Sequence, residues 1–216
     1  MRLQDLDNNF ETDKGNEHNY IEYYNNILTP FESIESNIME IGILRGESIR
    51  LWHTVLPKAN IFAVDNFSHS TLDPCYVFTT TLSGEGEVTE EKHCIRHTSI
   101  SQVKEKVTSL SRVTLIEPVD SRSPEEVNSK IMPLGEKFDV IIDDGDHSVE
   151  AQLLTFINFF PYLSTRGVYV IEDVLGVGAA GSLVTEIRRR YPKAKICIYP
   201  FNFLIRHDDV IVEVRL

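Results

Sequence analysis

Asn37-Ile38-Met39-Glu40-Ile41-Gly42-Ile43-Leu44-Arg45-Gly46 runs directly into Glu47-Ser48-Ile49-Arg50-Leu51-Trp52-His53-Thr54-Val55-Leu56-Pro57. The reading of this passage decides the fold. Asn37 to Ile41 is an apolar run of strand length that meets a turn bounded by glycines. Ile49, Trp52, Val55 and Leu56 then recur at helical spacing until Pro57 stops the helix. Ile61 to Val64 is strand-like again and ends on Asp65. Strand, glycine turn, helix and strand make a βαβ unit, which implies a parallel sheet with helices on its faces.

The same alternation continues outward. A helix near Ser101 to Leu110 leads to a strand at Val113 to Ile116, and Phe138 to Ile142 forms the next strand. The spacing predicts a helix from Val149 to Leu163 that buries Leu153, Leu154, Ile157, Phe160 and Leu163. Val168 to Ile171 is a fifth strand and Leu183 to Arg190 a further helix. The strands are nearly unbroken apolar runs, as expected where helices cover both faces. Ile196 to Tyr199 and Val210 to Val214 follow with a short connection, which fits an antiparallel hairpin at the sheet edge. The expectation is an α/β, Rossmann-like, mostly parallel seven-stranded sheet with an antiparallel C-terminal edge hairpin. It forms one domain over residues 1–216. Residues 1–32 form a Tyr-rich N-terminal helical cap, and residues 66–100 are long and polar enough to serve as a lid or substrate loop.

Composition narrows the class. The chain has 216 residues, 42% hydrophobic and 25% charged, as in a soluble globular domain. No apolar run approaches the roughly 20 residues needed to span a bilayer, so no membrane partner is expected. The start Met1-Arg2-Leu3-Gln4-Asp5 lacks the apolar core of a signal peptide. Cys75, Cys94 and Cys197 have no metal-like spacing, which suits a reducing, cytoplasmic setting. A net charge of −12 opposes broad contact with a polyanion. Arg188-Arg189-Arg190 closes a helix, where it complements the dipole. Nucleic acid is therefore not an expected partner. The sequence leaves oligomeric state open, a homo-oligomer included.

Two ends of the sheet carry chemistry. At the first, Gly42 and Gly46 permit a tight turn and close approach of a ligand to the backbone. Asp65, about 20 residues beyond, ends the next strand, where a carboxylate can accept both hydroxyls of an adenosine ribose. A dinucleotide site would require G-x-G-x-x-G to hold pyrophosphate. The spacing here is acid-x-G-x-x-x-G, which is similar to the first motif of class I methyltransferases, whose cofactor is a sulfonium cation without phosphate. That similarity places Glu40 and the early turn near the methionine part of S-adenosylmethionine. Asp120, in Glu117-Pro118-Val119-Asp120-Ser121, either approaches the adenine or caps a turn.

At the second, Asp143-Asp144-Gly145-Asp146-His147 ends the fourth strand and Glu172-Asp173 the fifth. Ligands of an open α/β sheet bind beyond such strand ends. Anions packed there either rise in pKa or bind a cation. Oxygen-rich ligation without sulfur suits Mg²⁺ or Mn²⁺. Asp144, Glu172 and Asp173 are the expected ligands, and Asp143 turns toward the cofactor or a helix cap. His147, at the head of the next helix, has the ordinary pKa of a general base, near ~6.5. Asp146 is expected to cap that helix.

Four blocks in order resemble the macrocin O-methyltransferase group, metal-dependent enzymes that methylate sugar hydroxyls. They are Thr12-Asp13-Lys14-Gly15 with His18, Tyr20 and Tyr24; Glu40 to Gly46 with Leu51-Trp52; Ile142 to His147; and Tyr169 to Asp173. The resemblance implies metal binding by Asp144, Glu172 and Asp173, catalysis by His147 with Asp144, and a cofactor or substrate pocket lined by His18, Tyr20 and Tyr24. The implied partner is a small-molecule or glycan acceptor. Residues 66–100 and the tail after Asp173 carry no part of it. Part of the pattern is shared with cephalosporin hydroxylase-like proteins. A catechol-like or other small hydroxylated acceptor, a non-catalytic cofactor-binding module and a nicotinamide oxidoreductase are the competing readings. The last is disfavoured by the glycine spacing.

Overall fold

The structure, a computed structural model, describes residues 10, 12–16, 18–68, 75–82, 88–96, 99–201 and 208–216, with the backbone alone at 13, 16, 75–82 and 88–96. Helices are α1 (Asp13–Asn16), α2 (Ile21–Leu28), α3 (Glu47–Val55), α4 (Ile100–Thr108), α5 (Pro124–Ile131), α6 (Val149–Phe159) and α7 (Gly176–Arg190). Strands are β1 (Ser36–Ile41), β2 (Ala59–Val64), β3 (Cys75–Leu82), β4 (Val88–Arg96), β5 (Val113–Ile116), β6 (Phe138–Asp143), β7 (Leu163–Ile171), β8 (Lys195–Pro200) and β9 (Val210–Arg215).

Seven strands form one sheet in the order β5-β2-β1-β6-β7-β9-β8. The β1–β2, β1–β6, β2–β5 and β6–β7 pairings are parallel, and β9 runs antiparallel to both β7 and β8. The expected hairpin is present, but β9 lies inside the sheet and β8 forms the edge. Burial explains the placement. Val210, Ile211, Val212 and Val214 are fully buried, which requires cover on both faces, whereas β8 alternates between half-buried and exposed.

Helix boundaries depart from the sequence reading at three places. The helix after β6 stops at Phe159, before a 3-10 turn over Phe160–Tyr162 that contains Pro161, and Leu163 already belongs to β7. Its buried face is Ala151, Gln152, Thr155, Phe156 and Phe159, so Leu154 is exposed rather than buried. The last helix begins at Gly176 instead of Leu183, its first turns hidden by helix-disfavouring glycines. Helix α5, not anticipated, starts from Ser123, whose hydroxyl accepts from Glu126 N–H, with Pro124 in the first turn. The segment expected as a lid or substrate loop holds the antiparallel pair β3–β4, a sheet of its own. Residues 69–74, 83–87 and 97–98 of it lie outside the described residues.

Period-two alternation sorts the core into two layers and the acids with them. Ile38, Val140, Ile142, Val168, Val170 and Ile211 pack with Tyr24, Trp52 and Val103, from α2, α3 and α4. Met39, Ile41, Ile141, Tyr169, Ile171 and Val212 pack with Val127, Phe156 and Leu183, from α5, α6 and α7. Counting by twos, Glu40 follows Ile38, Glu172 follows Val170, and Glu213 follows Ile211. All three glutamates thus project to the α2–α3 face. Asp143 follows Ile141 and projects to the opposite one. No helix among the described residues is long and apolar enough to cross a membrane.

Candidate active site

Every parallel strand ends at the same edge, and the glycine turn stands there beside the acidic loop. Gly42 N–H donates to Val64 O (2.9 Å), and Asp144 N–H donates to Ile41 O (2.9 Å). Gly42 and Gly46 both adopt positive φ, at 83° and 74°. The backbone after β6 passes so close to Gly42 that a side chain there would meet Asp144 O. The two ends of the sheet read separately from the sequence are therefore one contiguous loop cluster.

On the cofactor side, Asp65 is half-buried. Its Oδ2 accepts from Ile43 N–H (2.9 Å) and its Oδ1 from Phe67 N–H (2.6 Å). These bonds fix the carboxylate against the glycine turn and use only one lone pair of each oxygen. Asp120 is taken up by a fork with Arg122 (Nε to Oδ1, 3.0 Å; Nη2 to Oδ2, 3.1 Å), and its Oδ1 also accepts Arg122 N–H. That last bond is the one the turn-capping alternative requires. Glu40 is fully buried, with Oε2 accepting the Trp52 indole N–H at 3.0 Å. Burial lifts its carboxyl to about 7 against the pull of the Lys14 ammonium.

On the acidic side, the structure brings together Asp144, His147 and Asp173. One ligand atom from each lies within 4.8 Å of the others. His147 Nε2 is 3.6 Å from Asp144 Oδ1 and 3.7 Å from Asp173 Oδ2. The Asp144 carboxylate raises the imidazole to about 8, against desolvation, with Asp173 acting in the same direction. Although burial alone would push Asp144 up, Lys14 and His147 hold it near about 2, so it is ionised. Asp173, at φ 52°, turns the chain out of β7. The two neighbouring acids have separate partners: Asp173 Oδ1 accepts from Tyr20 OH (2.8 Å), while Glu172 accepts from Lys14 and Tyr24.

The N-terminal block is the part whose role the sequence did not disclose. Lys14, only 1% exposed, donates to Asp144 Oδ2 at 2.6 Å and to Glu172 Oε2, with Glu40 Oε1 at 3.5 Å. Tyr24 OH donates to Glu172 and Tyr23 OH to Glu213 (3.0 Å). His18 Nδ1 meets Asp209 Oδ1 at 2.5 Å and stacks on Tyr20. His18 and Tyr20 therefore stand against the acids that follow β7 and precede β9. The available signal was charge balance, since strand-end acids packed this closely need a neutralising cation.

Asp143 is buried on the α6 face beside Tyr169, with Gly145 N–H bonded to its carboxylate. Desolvation raises its carboxyl from 3.8 to about 8. The folded protein thus keeps a proton that the unfolded chain releases near pH 4, so stability falls as pH rises from about 4 to about 8. Asp143→Asn is expected to reduce that fall, measured by urea unfolding at several pH values across the window. Glu40, shifted the same way, leaves a residual slope.

The strand order, the single antiparallel strand β9, the glycine turn and the acid at the end of β2 together define a Rossmann-like class I methyltransferase fold. The chain belongs to the family described as a methyltransferase domain, which matches residues 39–174. It is 22% identical over 180 residues to the mycinamicin VI 2''-O-methyltransferase of Micromonospora griseorubida, covering 80% of this chain and 36% of that protein. It is 26% identical over 172 residues to the L-olivosyl-oleandolide 3-O-methyltransferase of Streptomyces antibioticus, covering 76% of this chain and 35% of the other. The chain spans about a third of the length of these curated relatives. In fold it is similar to the MycE methyltransferase of the mycinamycin biosynthetic pathway, solved with Mg and SAH, at a TM-score of 0.67 and 19% identity. That likeness covers 100% of this chain and 54% of the other.

Proposed function

We propose that this chain is an S-adenosylmethionine-dependent O-methyltransferase that uses a divalent metal, Mg²⁺ or Mn²⁺, to methylate a hydroxyl of a sugar. The observation that carries the reading is the convergence of Asp144, His147 and Asp173 beside the glycine turn. The names of the relatives, which methylate sugar hydroxyls of glycosylated natural products, support the acceptor class. The acceptor is then a small molecule or glycan.

The donor set fits a hard cation. Asp144 and Asp173 would hold it, with Glu172 as the further carboxylate on the α2–α3 face. When bound, the ion would lower the pKa of an acceptor hydroxyl and fix its position. Asp65 and the turn at Gly42 and Gly46 would hold S-adenosylmethionine. Glu40, Asp143, Asp120, His18 and Tyr20 belong to the frame around these groups rather than to the cofactor contacts.

Asp65, fixed by two backbone N–H groups, presents its outer lone pairs to ribose hydroxyls. The loop after β6 lies against the glycine turn, so an acceptor held there would be placed beside the cofactor. Such positioning is worth roughly 7–11 kcal/mol. His147, half-exposed at the mouth, takes the hydroxyl proton. It must be neutral to do so: the Asp144 and Asp173 carboxylates favour its protonated form, and a cation bound on them would offset that pull and lower its proton affinity.

Calorimetry with S-adenosylhomocysteine, with and without Mg²⁺, tests the cofactor half on wild type and Asp65→Ala. Wild type is expected to bind and the variant to bind about tenfold or more weakly, a cost of roughly 1.4 kcal/mol or greater. No binding by wild type under either condition overturns the reading. Methyl transfer to a panel of free sugars, glycosides and nucleotide sugars then separates a sugar from another hydroxylated acceptor.

A further inference from the structure

The buried Lys14 ammonium lies against two of the three carboxylates assigned to the metal. It reaches Asp144 Oδ2 and Glu172 Oε2 directly, with Glu40 Oε1 completing a cradle of oxygens on three sides. An ammonium held this way is chemically a monovalent cation bound by carboxylates, delivered by the chain itself. Its carrier, α1, is a single helical turn of four residues, too short to hold its shape alone. The contacts of the segment are therefore what seat it.

We infer that Lys14 is a tethered counter-cation that competes with the divalent metal for Asp144 and Glu172, so that metal uptake requires the ammonium to withdraw. The inference rests on the metal reading above. Two cations cannot share the same carboxylate oxygens at contact distance: each excludes the other by volume, and their like charges repel across a poorly screened interior. Without metal, the ammonium keeps Asp144 and Glu172 from repelling one another. With metal, it becomes the surplus charge. Residues 12–16 would then be released from the acids as the metal enters, linking the seating of the N-terminal segment to metal occupancy. His18 and Tyr20 anchor the chain further along on Asp209 and Asp173, so the release stops short of α2.

The test is Mn²⁺ binding, followed by electron paramagnetic resonance of free Mn²⁺, on wild type, Lys14→Met and Lys14→Arg, with Asp144→Ala as the site control. Lys14→Met is expected to bind Mn²⁺ at least about tenfold more tightly than wild type, a gain of about 1.4 kcal/mol, and Lys14→Arg no more tightly. Binding by the Met variant that is equal to wild type, or weaker, overturns the inference. If Asp144→Ala abolishes Mn²⁺ binding in the same series, the metal site itself still stands. No Mn²⁺ binding by wild type or Lys14→Met overturns both. Removing the ammonium leaves buried carboxylates uncompensated, so thermal unfolding provides a second readout. Mn²⁺ should raise the midpoint of Lys14→Met, or of Lys14→Gln should the Met variant not fold, by more than that of wild type. Equal midpoint shifts in variant and wild type overturn competition.

Discussion

Asp144→Ala is expected to weaken Mn²⁺ binding by about a hundredfold or more and to remove metal-dependent methyl transfer, while leaving S-adenosylhomocysteine binding within about threefold of wild type. Asp144 is the carboxylate on which the site turns. Its Oδ2 accepts from Lys14, its Oδ1 lies 3.6 Å from the His147 imidazole, and it remains ionised because both cations favour its charged form. Removing it takes away a proposed ligand and the largest influence that raises His147. It also removes one carboxylate from Lys14, which still meets Glu172 and Glu40. The cofactor side has its own supports, the bonds from Ile43 and Phe67 to Asp65, and these do not pass through Asp144. Calorimetry with each ligand separates the two halves. Metal binding that survived the substitution would remove Asp144 from the ligand set and leave the site without its central anion.

Periodicity disclosed the sheet because each central strand is apolar on both faces and each covering helix carries a stripe. It failed where composition masked the stripe. Gly176 to Gly181 hid two turns of α7, and Gln152 and Thr155 on the buried face of α6 concealed its centre, so that Leu154 was placed inside while Leu153, Ile157, Phe160 and Leu163 do pack on the core. The acids of the site were legible as strand-end residues, but their directions were not. Whether a residue at a strand end faces one layer or the other follows from strict alternation, and alternation was obscured because both layers are apolar. Glu172 and Asp173 are adjacent in sequence and would face opposite layers in a regular strand, but Asp173 takes a left-handed conformation, so its direction does not follow from alternation. Lys14 was visible as part of a motif, yet its contact with Asp144 joins residues 130 positions apart. No local pattern reports a contact of that separation.

Gly42→Ala is expected to cost roughly 3–5 kcal/mol of stability, among the largest effects of a single substitution, and to weaken cofactor and metal binding together. Two separate costs combine. The residue sits at φ 83°, where an L side chain is disfavoured. An alanine Cβ would also lie 2.1 Å from Asp144 O, 2.7 Å from its carbonyl carbon and 2.8 Å from Gly145 Cα. All three are backbone atoms, so no rotamer change relieves the overlap, and the loop after β6 must move away. That movement strains the bond from Asp144 N–H to Ile41 O, which ties the loop to β1, and displaces the Asp144 carboxylate along with its backbone. Gly46 gives the contrast. It also has positive φ, but an added Cβ there meets a side-chain methyl, Val107 Cγ2, at 2.7 Å, and a side chain can yield. Gly46→Ala should therefore cost less and spare the metal. Urea unfolding of both variants, with calorimetry for Mn²⁺ and S-adenosylhomocysteine, checks the ordering. Loss of both ligands in Gly42→Ala, against loss of at most the cofactor in Gly46→Ala, would mean that one missing Cβ lets the cofactor turn and the metal loop occupy adjacent space. Equal effects from the two would mean that backbone conformation alone, and not the close approach of the two loops, makes glycine necessary at this turn.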